Sequence, residues 1–213
     1  MKEQQQRRTV EEGCDVVDSG LRFDHHIAVV ARQTSLRVSA LRRMANTLDP
    51  RGILTLYRAQ IRPCMEYGAL SWMSSAATHM QRLDAVQRRA LRLVATDEDQ
   101  QHPPPVTSLE HRRDVSALVV CHKTQVQRVP HLDPLRLLPH TVQRCTRAAA
   151  SSDELVKVPR SRSSQHQRTY TARTSRLWNM FTAAKPQVQD MSTHQVKLAA
   201  HSWRSTHLSS LVL

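Results

Sequence analysis

Chemistry on phosphates or acyl groups needs side chains that converge, and this sequence offers few places where they could. Asp97-Glu98-Asp99 is its densest acidic spot. Carboxylates that hold a divalent metal must be brought together by a rigid element. This triplet stands where an apolar helix pattern gives way to "TDEDQQHPPP", with no apolar strand beside it, so it reads as a solvated helix end. "FDHH", Phe23 to His26, offers one carboxylate and two imidazoles instead of a paired-aspartate hairpin, and no alternating strand precedes it. Cys121, His122, His131, His140 and Cys145 are the zinc candidates. Structural zinc sites take close Cys or His pairs from turns. Cys121 and His122 are adjacent in a helical pattern, where neighbours diverge by about 100°, so an apolar cysteine and a half-buried histidine are expected instead. The isolated glycines form no Walker or dinucleotide pattern, and no G-x-S-x-G marks a nucleophile. No catalytic residue, metal ligand or cofactor is expected of this chain.

What the chain has in quantity is arginine. Its 213 residues carry a net charge of +13 and a pI near 10.7, a balance that suits a polyanion such as nucleic acid. The arginines are grouped. Arg42 and Arg43, then Arg51, Arg58 and Arg62, then Arg88, Arg89 and Arg92 recur on the polar sides of three consecutive helical patterns. Arginines so spaced can bridge successive phosphates. A plainer reading is that arginine forms helices well and belongs on exposed faces. Arg160, Arg162, Arg168 and Arg173 form a second, sequence-nonspecific candidate set in a Ser/Thr-rich stretch.

Helices must position these groups. Ile27, Ala31, Thr34, Val38, Leu41, Ala45 and Leu48 recur at spacings of four and three, which is one amphipathic helix. Asp49-Pro50 starts a second, because Asp caps free N–H groups and Pro fits the first turn. Ile53, Leu56 and Tyr57 share its inner face, and Pro63 should kink or end it. Thr78 can cap a third helix with the stripe Met80, Leu83, Val86, Ala90, Leu93 and Val94. Thr107 and Glu110 have capping-box spacing before a fourth, lined by Val115, Leu118, Val119, His122 and Val126. The expected fold is mainly α: a polar tail over 1–20, a helical bundle over 21–98, a linker over 99–106, a further helix over 107–135, a basic extended or disordered segment over 136–180, and an amphipathic stretch over 181–213 around Val196, Ala199 and Trp203.

Aromatic residues make up only 4% of the chain, so any core must come from Leu, Val, Ala and Met. The four cysteines form no C-x-x-C pair, no apolar signal opens the sequence, and no apolar run is long enough for a span. An intracellular protein with reduced thiols is expected, in nucleus or cytoplasm, with no membrane partner.

The order of the blocks "VDSGLRFDHHI", "SLRVSALRRM", "LDPRGILTLYRAQIRPCMEYGALSWM" and "LDAVQRRALRLV" resembles the region after the palm in reverse transcriptases of non-LTR, LINE-type, jockey-like retrotransposons. "TSLEHRRDVSALVVCHKTQV" and "RTYTARTSRLWN" resemble the same proteins further downstream. The resemblance spans roughly residues 16–180 and implies a helical thumb and connection segment against a template–primer duplex. It brings across no catalytic residue: the paired aspartates and their magnesium would belong to a palm, absent here. The resemblance therefore implies a truncated, element-derived fragment that does not polymerise by itself and binds RNA, DNA or their hybrid nonspecifically. The alternatives are the C-terminal part of an active polymerase with its palm upstream, or a helical protein-interaction module.

Overall fold

A computed structural model describes residues 11–12, 15–16, 23–94, 107–139 and 155–207. The chain is mainly helical. It divides into two compact units, Met1–Leu109 and Glu110–Leu213.

In the first unit, a two-residue antiparallel pairing of β1 (Glu11–Glu12) with β2 (Asp15–Val16) precedes α1 (Asp24–Met44). The expected stripe is the buried face of α1: Ile27, Thr34, Val38 and Leu41 are buried and Ala31 is half-buried. A short 3-10 turn, Ala45–Thr47, follows. Asp49 then caps α2 (Pro50–Leu56), its Oδ1 accepting from the Gly52 amide at 2.9 Å.

Pro63 does not end this helix. The backbone widens into a π-helical segment over Tyr57–Ile61 and continues as α3 (Arg62–Glu66). Pro63 has no N–H to give, and its ring would crowd the Ala59 carbonyl in a regular α-helix; a wide turn accommodates it. Ile53, Tyr57, Ile61 and Met65 stay buried across the join. Leu56, expected at the core, is only half-buried, and Tyr57 takes the deep position.

The third helix, α4 (Ala77–Leu91), starts without a side-chain cap at Ala76, so Thr78 lies exposed inside its first turn. Met80, Leu83, Val86, Ala90 and Val94 are buried as their spacing requires. Helices α1 and α4 pack extensively against each other. His79 Nε2 lies 3.6 Å from Asp24 Oδ1, which brings the two N-termini together. The two helices therefore run in the same direction.

In the second unit, α5, the stretch around Val156, α7 and α8 contribute to one core. Helix α5 (Leu109–Gln125) contributes Val115, Leu118 and Cys121, α7 (Tyr170–Ala184) contributes Leu177, Trp178 and Phe181, and α8 (Thr193–Thr206) contributes Val196, Ala200 and Trp203. Phe181 meets Trp203 edge-on at 5.5 Å between ring centroids, and Trp178 at 6.4 Å. Two of the chain's three tryptophans thus fill this core, which compensates for its otherwise small side chains.

The described residues of the segment expected to be extended or disordered include both extended backbone and helix. Val156 is buried, and both its backbone groups bond to the Asn179 side chain, N–H to Oδ1 and carbonyl to Nδ2, each at 2.9 Å. The Lys157 amide donates to the Leu138 carbonyl at 2.8 Å. After a short α6 (Ser164–Gln167), Thr169 caps α7 through the Ala172 amide. Composition suggested disorder because Ser, Thr and Arg dominate; the few apolar residues nonetheless fall on one helical face. The linker over 99–106 lies outside the described residues, as do His140, Cys145 and Asp97-Glu98-Asp99.

Two substitutions test the first core. Leu83 is fully buried, so Leu83→Ala should lower unfolding free energy by about 2–5 kcal/mol in urea titrations. Thr34 is also fully buried, and its hydroxyl has no hydrogen-bond partner among the described residues. Thr34→Val should be neutral or stabilising by about 1 kcal/mol; a loss of that size would show that the hydroxyl is satisfied.

Candidate nucleic-acid interface

Arginines occur here in two physical states. In the first unit, Arg42 and Arg43 in the last turn of α1, Arg51 and Arg58 on the second helix, and Arg88, Arg89 and Arg92 at the end of α4 are all exposed. None of these seven side chains has a hydrogen bond or ion pair among the described residues. Because α1 and α4 run the same way, the arginines of their last turns lie toward the same end of the unit. A cation at a helix C-terminus also interacts favourably with the carbonyl dipoles there, which accounts for Arg42, Arg43, Arg88 and Arg89 without any ligand. It does not account for Arg51 and Arg58.

Arg62 differs from its neighbours on the same helix. It is half-buried and its Nε donates to Glu66 Oε1 at 2.9 Å, one turn on. Arg37 is likewise engaged: its Nη1 donates to the Gln60 carbonyl at 2.9 Å and contacts Cys64 Sγ. It ties α1 to the π-helical turn.

In the second unit, the expected set Arg160, Arg162, Arg168 and Arg173 splits. Arg160 and Arg162 are exposed on the extended stretch before α6. Arg168 is half-buried and has a partner of its own. Arg173 is not a phosphate ligand in this arrangement. Its Nε donates to Asp114 Oδ1 at 2.7 Å and its Nη2 to Asp114 Oδ2 at 2.9 Å. The same Nη2 donates to Glu110 Oε1 at 2.6 Å. Burial works against the charge of this guanidinium, but the bonds and charges of Asp114 and Glu110 outweigh it and hold the group charged above its ordinary range.

Asp114 is fully buried and serves a second arginine: Arg204 Nε on α8 donates to Asp114 Oδ2 at 2.8 Å. One carboxylate on α5 thus joins α7 and α8. Sequence reading missed this network. The available signal was Glu110 and Asp114 at i and i+4, which places two acids on one face of a basic chain's helix. Glu110 was instead read as half of a capping box.

Of the zinc candidates, Cys121, His122 and His131 are among the described residues and do not group together. Cys121 and His122 are fully buried in the α5 interface, whereas His131 is exposed. Burial pushes the Cys121 thiol far up, out of thiolate range. The His122 imidazole is pushed down by burial. The Val188 and Met191 carbonyls oppose that shift, but neither ring nitrogen reaches hydrogen-bond geometry, so desolvation prevails. Among the described residues, no three His, Cys, Asp or Glu side chains group to hold a metal. In "FDHH", Asp24 opens α1 beside His79, His25 is exposed and His26 is buried against Trp72. No described helix is long and apolar enough to cross a membrane.

No protein-family model matches this chain, and neither a curated protein nor a solved structure does.

Removing one partner from a buried ion network leaves uncompensated charge. Asp114→Asn should therefore cost about 3–5 kcal/mol in urea unfolding followed by circular dichroism. Glu110→Gln, at a half-exposed carboxylate, should cost much less. Equal effects from the two would remove Asp114 from its central place.

Proposed function

We propose that this chain is a thumb-like, nucleic-acid-binding segment of the non-LTR retrotransposon reverse-transcriptase type. It holds RNA, DNA or hybrid duplex by the phosphates and polymerises nothing alone. Two supports of different kinds meet in this reading. One is the resemblance of the blocks from Val17 to Val94, from Thr107 to Val126 and from Arg168 to Asn179. The other, which carries it, is the set of seven exposed arginines whose side chains have no hydrogen bond or ion pair among the described residues.

Arginines already committed to carboxylates gain little by meeting a phosphate. Uncommitted ones release condensed counterions when they do, and this supplies sequence-independent affinity. Arg42, Arg43, Arg51, Arg58, Arg88, Arg89 and Arg92 are the proposed contacts, with Arg160 and Arg162 as a second, weaker set. Arg62 and Arg173 are withdrawn from it, because their side chains are engaged elsewhere, and Arg168, half-buried with a partner of its own, is withdrawn with them. Magnesium enters only with a palm bearing paired aspartates, not with any residue of this chain.

One observation bears on a protein partner in addition. Leu36, on the outer side of α1, is 65% exposed; a lone exposed leucine is ordinary, and it supports a docking face only if a neighbour covers it. In the reverse-transcriptase reading that neighbour is the palm. Purification of the chain as a clean stoichiometric oligomer would favour an interaction module instead.

The test is binding of the full chain to a random-sequence duplex across a salt series. Log affinity should fall linearly with log salt, with a slope of about 0.7–0.9 per phosphate contact. The triple change Arg58→Ala, Arg88→Ala and Arg89→Ala should flatten that slope by two to three contacts' worth, leaving thermal unfolding nearly unchanged. A salt-independent affinity, or none at low salt, would sink the proposal. Unfolding by the triple change would show that these side chains are structural.

A further inference from the structure

Beside the Asp114 network sits a pair of histidines with no part in nucleic-acid binding. His111 lies on α5, three residues before Asp114, and is buried; His201 lies on α8, three residues before Arg204, and is half-buried. His111 Nε2 is 3.0 Å from His201 Nδ1, and the rings stack with centroids 5.1 Å apart and 22° between planes. A contact of this length between two imidazole nitrogens needs one N–H and one lone pair. It survives with both rings neutral or with one charged. With both protonated, each nitrogen carries a hydrogen and N–H is pressed against N–H.

We propose that the His111–His201 contact is an acid-sensitive latch, which holds α8 on α5 at neutral pH and releases it as the medium turns acidic. The charged groups facing the pair favour release. From α5 these are Arg112, Glu110 and Asp114; from α8, Arg204; from α7, Arg173, which reaches the pair's surroundings through Asp114. Arginines outnumber carboxylates in this set. Burial pushes the His111 imidazole down, and the His201, Arg204 and Arg112 charges push it further, against Asp114 alone. The Asp114 bridges to Arg173 and Arg204 are guanidinium–carboxylate contacts and do not depend on an imidazole proton. The histidine pair is therefore the contact between α5 and α8 that responds first.

The sign follows from linkage. The closed state disfavours the His111 proton, so its stabilisation is complete above the ordinary imidazole value of about 6.5 and declines as pH falls below it. Between pH 7.5 and 5.5, one histidine kept neutral when closed and free when open raises the opening equilibrium about tenfold. His122, also pushed down by burial, adds a dependence of its own from the same helix and sets the baseline for a variant.

The experiment is amide hydrogen exchange on the full chain at pH 7.5 and 5.5, corrected for the intrinsic rate. Protection of α8 amides from Val196 to Arg204 should fall with acid, and His111→Asn should reduce that fall by about tenfold. The same fall in native chain and variant would overturn the latch. If His111→Asn fails to fold, imidazole nitrogen NMR of the native chain decides. Both rings charged at pH 5.5 with α8 still protected contradicts the proposal; double protonation that coincides with lost protection upholds it.

Discussion

One carboxylate organises the second unit. Asp114 has no exposure and accepts from two guanidiniums brought by two different helices. Taking a carboxylate out of water is costly, and only full pairing recovers the cost. This condition can be met only when α5, α7 and α8 are all in place, because each supplies one member. The aromatic contacts of Trp178, Phe181 and Trp203 fill the space that this arrangement encloses. Apolar packing supplies bulk stability here; the ion network fixes which faces meet.

The first unit rests on a different principle. Its helices are held by stripes of Ile, Leu, Val and Met around Tyr57 and Trp72, with no comparable buried ion network among the described residues. Its arginines remain outside and uncommitted. The contrast is what makes the basic charge informative: a net charge of +13 spread evenly would speak only of solubility, whereas seven guanidiniums on one small helical unit, unpaired among the described residues, form a surface able to meet a polyanion.

The helices of the first unit were legible because their apolar residues repeat with the helical period and because Asp49-Pro50 is a strong local start. The π-helical segment was not, since Pro63 signals a break in the hydrogen-bond ladder without revealing how the backbone absorbs it. The ordered stretch from Leu155 to Arg168 was hidden for another reason. It is held by contacts with distant residues: the Asn179 side-chain amide bonds both backbone groups of Val156, and the Lys157 amide donates to the Leu138 carbonyl. The Asp114 network was equally hidden: Arg173 and Arg204 lie 59 and 90 residues from their acid, and one sequence carries no sign of such distant pairing. An arginine that binds a carboxylate and one that awaits a phosphate look the same in composition.

The central claim is that these two arginine populations are physically distinct, and chemical footprinting reads the difference directly. Treating the full chain with an arginine-selective dicarbonyl, with and without a random-sequence duplex, and mapping the adducts by mass spectrometry reports each side chain separately. Arg173 and Arg204 should resist modification in both samples. Arg42, Arg43, Arg51, Arg58, Arg88, Arg89 and Arg92 should react freely in the chain alone and become protected by the duplex. Rapid modification of Arg173 and Arg204 in the folded chain, or undiminished reaction of the exposed set with duplex bound, would contradict the account.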